Sequence, residues 1–260
     1  MRNYLSVFTL YIQRSFTKIF LLLTTTSLFE LILFIHNLNF GNITQNENFS
    51  NTDNTYLLGI EFILNQNKPL LSLLLISFIT LTVILCIMGC EFSDKQGYTI
   101  RRLNISEKKT FLCQGIYSSV VFGLFIIIQV LIFYTMCVIY IDFATGHENS
   151  FEGLISNQTV FLAFYRNKLL HALMPMDNIF KHISNIIMII ALGFSTAAFP
   201  YFMRRKKLPF EAVLLIPIIL INFASDWTEI TYAFVIIGMS LFVTGSLITR
   251  ISVEEQAYDK

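Results

Sequence analysis

Five runs of this chain stay apolar for about 20 residues each, the length a helix needs to cross the hydrocarbon core of a bilayer. They lie at roughly 19–38, 70–90, 112–141, 184–203 and 230–249. A shorter run at 208–225 carries Pro209 and Pro217, with charge only at Glu211 near its start and Asp226 just past its end. It reads as a sixth span. At membrane depth the backbone has no water to bond, so these runs must be helices. The alternating pattern of a membrane barrel is absent. The expectation is an all-α integral membrane protein with six transmembrane helices in one domain over 1–260. Its first run has no small-residue cleavage site after it and reads as a retained span rather than a signal peptide.

Composition agrees. Only 13% of residues are charged, where a soluble domain carries about 25%, and mean hydropathy is +0.64. The formal charge of +1 gives no reason to expect a nucleic-acid partner. Its distribution says more. With the N-terminus placed in the cytosol, segments 1–18, 91–111, 204–207 and 250–260 hold 14 of the 18 basic residues. The outer segments 39–69, 142–183 and 226–229 hold only Lys68, Arg166, Lys168 and Lys181. Lysine and arginine concentrate on the cytosolic side of membrane proteins, so both termini are expected there, in a bacterial plasma membrane.

Ahead of the first span, Asn3, Ser6, Thr9, Gln13 and Thr17 recur every three or four positions, opposite Tyr4, Phe8, Tyr11 and Ile12. This is the pattern of an amphipathic helix lying flat on the inner leaflet; the alternative is a plain extension of the first span. The outer stretch "NFGNITQNENFSNTDNTY" is asparagine-rich and reads as a solvated loop. In the second outer loop, "VFLAFYRNKLLHALM" is helical by pattern but too short and charged to span, with Pro175 ending it.

Signatures of soluble catalysis are missing: there is no H-E-x-x-H, no G-x-S-x-G and no phosphate-binding G-x-x-x-x-G-K-[ST]. No cofactor or metal is expected on the chain. Cys86, Cys90, Cys113 and Cys137 lie in or beside apolar runs and read as small packing residues rather than a metal or redox site. His36, His147, His171 and His182 fall on the outer side and read as separate polar residues rather than a metal or pH-sensing cluster. Glu30 is the one ionisable residue well inside a span. A carboxylate there is costly and faces protein or a water-filled cavity. It is either a pathway or gating residue, or a protonated or hydrogen-bonded carboxyl at a helix contact. No lysine or arginine lies at its depth in the other spans.

The connection between the second and third runs is unusual. "CEFSDKQGYTIRRLNISEKKTFLCQG", Cys90 to Gly115, holds five basic and three acidic residues. Ser93 with Gln96 fits a capping box. A short helix can run from there to Arg102 or Leu103, tolerating Gly97 at some cost. Asn104 to Ser106 reads as a turn, and Ser106 caps the third helix with Glu107 at its positive end. A purely structural connection needs only two to eight residues or so. This one either contacts something in the cytosol or serves only as a basic loop that fixes topology.

Six spans, an amphipathic N-terminal helix and this stretch resemble the permease subunits of type-2 ABC exporters. In that family an acidic–aromatic pair closes the second span, here Glu91–Phe92. A glycine and a hydroxyl residue follow, here Gly97 and Thr99, then a leucine, a turn and a Ser/basic stretch, here Leu103, Ser106 and Lys108–Lys109. The motif covers about 25 residues. The chain departs from many relatives in a very short loop between spans five and six and a long one between three and four. The resemblance implies that the short helix couples to a separate ATPase subunit that carries ATP and magnesium, so this chain is not itself an enzyme. The coupling residues would be Glu91, Phe92, Gly97, Tyr98, Arg101, Arg102, Leu103, Lys108 and Lys109. Implied partners are ABC ATPase chains, a second copy or a related permease, and membrane lipids. An aromatic-rich chain with little intramembrane charge suits an amphipathic peptide or lipid-like cargo, as in peptide export or immunity to antimicrobial peptides. The alternatives are a membrane-embedded immunity or scaffold protein without a transport cycle, and an intramembrane enzyme, for which Glu30 lacks a catalytic partner.

Overall fold

The computed structural model describes residues 2–40, 44–45, 56–57, 60, 64, 68–89, 106–145, 165, 171, 179–204, 207, 215 and 230–258. Five helices dominate: α1 (Arg2–Phe40), α2 (Lys68–Gly89), α3 (Glu107–Thr145), α4 (Ile179–Arg204) and α5 (Ile230–Tyr258). Each is long and apolar enough to cross a membrane. Two-residue strands β1 (Thr44–Gln45) and β2 (Tyr56–Leu57) pair antiparallel in the asparagine-rich stretch. The region expected at 208–225 lies outside the described residues, apart from Leu215, which is helical and buried.

One expectation needs correction. The amphipathic N-terminal segment is not a separate helix; α1 runs without a break from Arg2 to Phe40. The physical reason is in the sequence: no glycine or proline occurs between those residues, so nothing removes an i→i−4 bond or ends the helix. Four polar residues in a row, Thr24 to Ser27, do not break it either. Thr26 Oγ1 and Ser27 Oγ donate back to the Leu23 carbonyl at 3.1 and 2.6 Å. Ser77, Thr82, Thr135 and Ser246 bond the carbonyl three residues back in the same manner, which satisfies a hydroxyl in apolar surroundings.

The chain divides into two compact units. The first comprises Met1–Leu22, Phe78–Phe125 and Asp177–Lys260. Its most enclosed element is α4, with 61% of its apolar window buried. Phe111 of α3, Ala191, Ala198 and Phe202 of α4, and Ile236, Val243 and Leu247 of α5 form the core with Leu215. α4 and α5 run in the same direction. Phe180 meets Phe234 near their starts, ring centroids 5.5 Å apart. Near their ends the Arg250 guanidinium lies 4.6 Å over the Phe202 ring, a cation–π contact. Past that ring α4 stops, and the Lys207 N–H donates to the Phe202 carbonyl at 3.0 Å, a Schellman-type closure.

The second unit comprises Leu23–Ser77 and Ile126–Met176. The late turns of α1 (Phe34, Leu38) and α3 (Ile132, Phe133, Met136, Tyr140) pack with the first turns of α2 (Leu70, Leu74). Ile60 and Leu64 complete this core with helical backbone. No pattern in the sequence marked them.

In the first unit α3 and α4 approach so closely that side chains cannot intervene. A Cβ on Gly193 would stand 2.5 Å from the Ser119 backbone nitrogen and 2.8 Å from the Gly115 carbonyl oxygen. A Cβ on Gly115 would stand 2.6 Å from Phe194 Cδ1. The gap is bridged by Ser119 Oγ, which donates to the Gly115 carbonyl at 2.8 Å and reaches the Ile190 carbonyl at 3.3 Å. Small residues that let backbones meet are the usual means of joining helices in lipid, where no hydrophobic force drives them together. Backbone atoms cannot swing aside, so Gly193→Ala should destabilise the protein by about 1–3 kcal/mol. Gly238→Ala on α5, where a Cβ meets nothing within 4 Å, should be neutral or stabilise by up to about 1 kcal/mol through helix propensity. Thermal unfolding of the two purified variants in detergent checks the contrast.

Candidate functional site

Two places carry functional expectations: the charged stretch before α3, and Glu30. The structure frames the first from both sides. α2 ends at Gly89 and α3 begins at Glu107. Ser106 occupies the N-cap position foreseen for it. Its carbonyl accepts the Lys109 and Thr110 N–H groups at 3.0 and 3.2 Å, and the Thr110 hydroxyl at 3.0 Å. Lys108 and Lys109 therefore belong to the first turn of α3, half-buried and exposed respectively. Glu91, Phe92, Gly97, Tyr98, Thr99, Arg101, Arg102 and Leu103 lie outside the described residues.

The start of α3 is fixed to the N-terminal half of α1. Ser15 and Tyr117 are hydrogen-bonded hydroxyl to hydroxyl. Ser15 Oγ also lies 2.8 Å from the Tyr11 carbonyl. A carbonyl can only accept, so the serine proton goes there and the tyrosine O–H donates to Ser15 Oγ. The Tyr117 ring stacks on Tyr11, centroids 6.2 Å apart, and takes the edge of Phe8 at 5.7 Å. Ser15 is fully buried. The sequence pattern placed Phe8 and Tyr11 on the apolar face correctly; that face packs on α3. Ser15 carried no signal, because a serine in a helix so often bonds only to itself.

Glu30 is 1% exposed, enclosed by protein within the second unit. The polar side chain it faces is Gln129 of α3, also 1% exposed. Neither carboxyl oxygen and neither end of the amide stands in hydrogen-bonding geometry. The sequence analysis missed Gln129, although a glutamine in the middle of "GLFIIIQVLIFY" was a visible signal: an amide at that depth needs a partner as a carboxyl does.

Cys86, Cys113 and Cys137 are free thiols, and Cys90 lies outside the described residues, as does His147. His171 packs against the Tyr165 ring, edge to face at 5.5 Å, while His36 is exposed and His182 half-buried. Among the described residues no three His, Cys, Asp or Glu side chains gather to hold a metal.

The Tyr117 arrangement gives a sharp expectation. Tyr117→Phe keeps both aromatic contacts and leaves Ser15 its bond to Tyr11, so it removes one hydrogen bond and strands no buried donor. Its cost should be about 0.5–1.5 kcal/mol. Tyr117→Ala also removes the ring and should cost about 3–5 kcal/mol; denaturant or thermal unfolding of the two variants separates the bond from the packing. Comparison with protein-family models, curated proteins and solved structures gives no match.

Proposed function

We propose that this chain is the membrane-spanning permease subunit of an ATP-driven exporter of the type-2 ABC class. It acts as a dimer, with itself or a related permease, on two separate ATPase chains that bind ATP and magnesium. One observation carries the reading: a charged stretch, Cys90 to Ser106, whose Ser93 and Gln96 fit the sequence pattern of a capping box, set between the end of one apolar helix and the capped start of the next. A push on that stretch is delivered to the first turn of α3. Because Tyr117 is joined to Ser15 and Tyr11, it passes to α1 as well. The cargo that suits the apolar, aromatic-rich spans is an amphipathic peptide or lipid-like molecule. Glu30 is enclosed between α1 and α3 in this state, so a place on the path requires those helices to part.

Six spans with both termini in the cytosol is the topology we infer. Support comes from the parallel run of α4 and α5. A chain that leaves the end of α4 and enters the start of α5 has to return over their whole length, about 33 Å for the 22 residues from Phe180 to Phe202. Between the two helices in the sequence, Leu215 is helical and buried in the core of that unit, as a sixth span would require. Arg250 standing over Phe202 also sets its charge at the end of α4, where Lys207 closes the helix.

Two experiments test this reading. Replacing Tyr98 and Leu103 together by Ala should leave insertion intact, since that depends on the spans' own apolar length. Association with the ATPase should weaken by about 2–4 kcal/mol, the scale of interface hot spots. The variant should reach the membrane at normal levels, lose the co-purifying ATPase and lose transport. Retention of ATPase and ATP-driven transport would sink the coupling role, and a wild-type chain that brings down no ATPase would favour a scaffold or immunity protein. For topology, Lys206→Cys in a cysteine-free background should resist an impermeant thiol reagent in intact cells and react after permeabilisation. Labelling in intact cells would invert the orientation.

A further inference from the structure

We propose that Glu30 holds a proton in the folded protein and shares it with Gln129, so that the two form a proton-binding site closing α1 onto α3. The proposal rests on the second unit alone and does not depend on the exporter reading.

Both side chains are 1% exposed, and all four of their polar ends are sealed from solvent. One helical turn further along, Phe34 of α1 and Phe133 of α3 are buried in the apolar core of this unit. A bare carboxylate in such surroundings is not tolerated without a compensating charge; it takes up a proton instead. Nothing in the described part of this unit offers that charge. Lys68, in the first turn of α2, and His36, in the last turns of α1, are exposed. Asp142 and Tyr134 are exposed as well, and neither side chain can carry a positive charge. Cys137 and Tyr140 are buried about two and three turns along α3 from Gln129 and cannot carry a positive charge. His171 and Tyr165 pack on each other.

A carboxylic acid and a carboxamide are complementary. The acid O–H donates to Gln129 Oε1, and a Gln129 N–H donates to the acid carbonyl. The result is a reciprocal, uncharged pair with two hydrogen bonds. The last torsion of Glu and of Gln is broad, so rotation about it brings the facing groups from their present orientation into that register. An ionised Glu30 has no donor and can satisfy only the amide N–H end, leaving Gln129 Oε1 against a negative charge. The proton comes from water and returns to it, with no other change of bonds. Its loss leaves a buried charge that only water relieves, so release of the proton and parting of α1 from α3 are one event. Gln129 is a positioning residue in this device.

Infrared spectra of the purified full-length protein in lipid nanodiscs test it. At neutral pH exposed Asp and Glu side chains are ionised. The wild type should still show the carbonyl stretch of a protonated carboxyl, and Glu30→Gln should abolish it. Gln129→Leu should move that band to higher frequency, because the acid loses its partner. If Glu30→Gln instead removes carboxylate stretches, or if the band ignores Gln129→Leu, the site is not as proposed. Should Glu30→Gln fail to fold, Glu30→Asp serves: the band must shift, and an unmoved band overturns the assignment. A stability readout stands beside it. Combining Glu30→Leu with Gln129→Leu removes both buried polar groups, and the double variant should melt above the Gln129→Leu single, since stranding one partner is worse than losing both. Simple additivity of the two losses would mean that the residues do not interact.

Discussion

In apolar surroundings every backbone N–H and C=O must find its partner inside the chain, and most of this structure follows from that demand. It explains why α1 and α3 each run through 39 residues, well beyond the about 20 needed to cross a bilayer. Once a helix is satisfied internally, its polar ends continue it at little cost. The hydroxyls obey the same demand by bonding back to their own helices. Where helices touch, apolar cores carry most of the contact, joined by close backbone approach at glycine, as at Gly193 and Gly115, and by polar contacts, as at Ser119 and at Ser15 with Tyr117.

Those polar contacts define what can move. In the first unit, α3 holds α1 through Tyr117 and holds α4 through the Ser119 crossing. Displacement of the start of α3 therefore cannot stay local. In the second unit, α1 and α3 meet through apolar packing, with Glu30 and Gln129 buried at that contact. Apolar packing slides with small change in energy when lipid is the alternative, because lipid tails are as apolar as the side chains. A buried carboxyl and amide do not slide: each leaves the other stranded. The pair is thus the contact in that unit whose state has two discrete values.

Sequence patterns located what depends on nearest neighbours along the chain. Apolar run length found α1 to α5, and the Ser106 cap was legible because a hydroxyl residue followed by Glu-Lys-Lys before an apolar run is a local signal. The same reasoning split the N-terminal segment from the first span, since polar periodicity invites an interfacial helix. The polar side of that segment is real, but periodicity cannot say where one helix ends and the next begins, and with no glycine or proline the helix continues unbroken. Ile60 and Leu64 were invisible because two positions four apart are too few to set a period.

By itself the sequence determined an all-helical, strongly apolar chain with a charged stretch before α3 and a single acidic residue at depth, since all of these follow from composition within windows of about 20 residues. Only the tertiary structure decided which residue faces Glu30, that Ser15 serves Tyr117, and that α4 and α5 run parallel. Such pairings join positions about 100 residues apart along the chain, such as Glu30 with Gln129 and Ser15 with Tyr117. The packing of side chains in three dimensions selects them, and no local pattern encodes that choice.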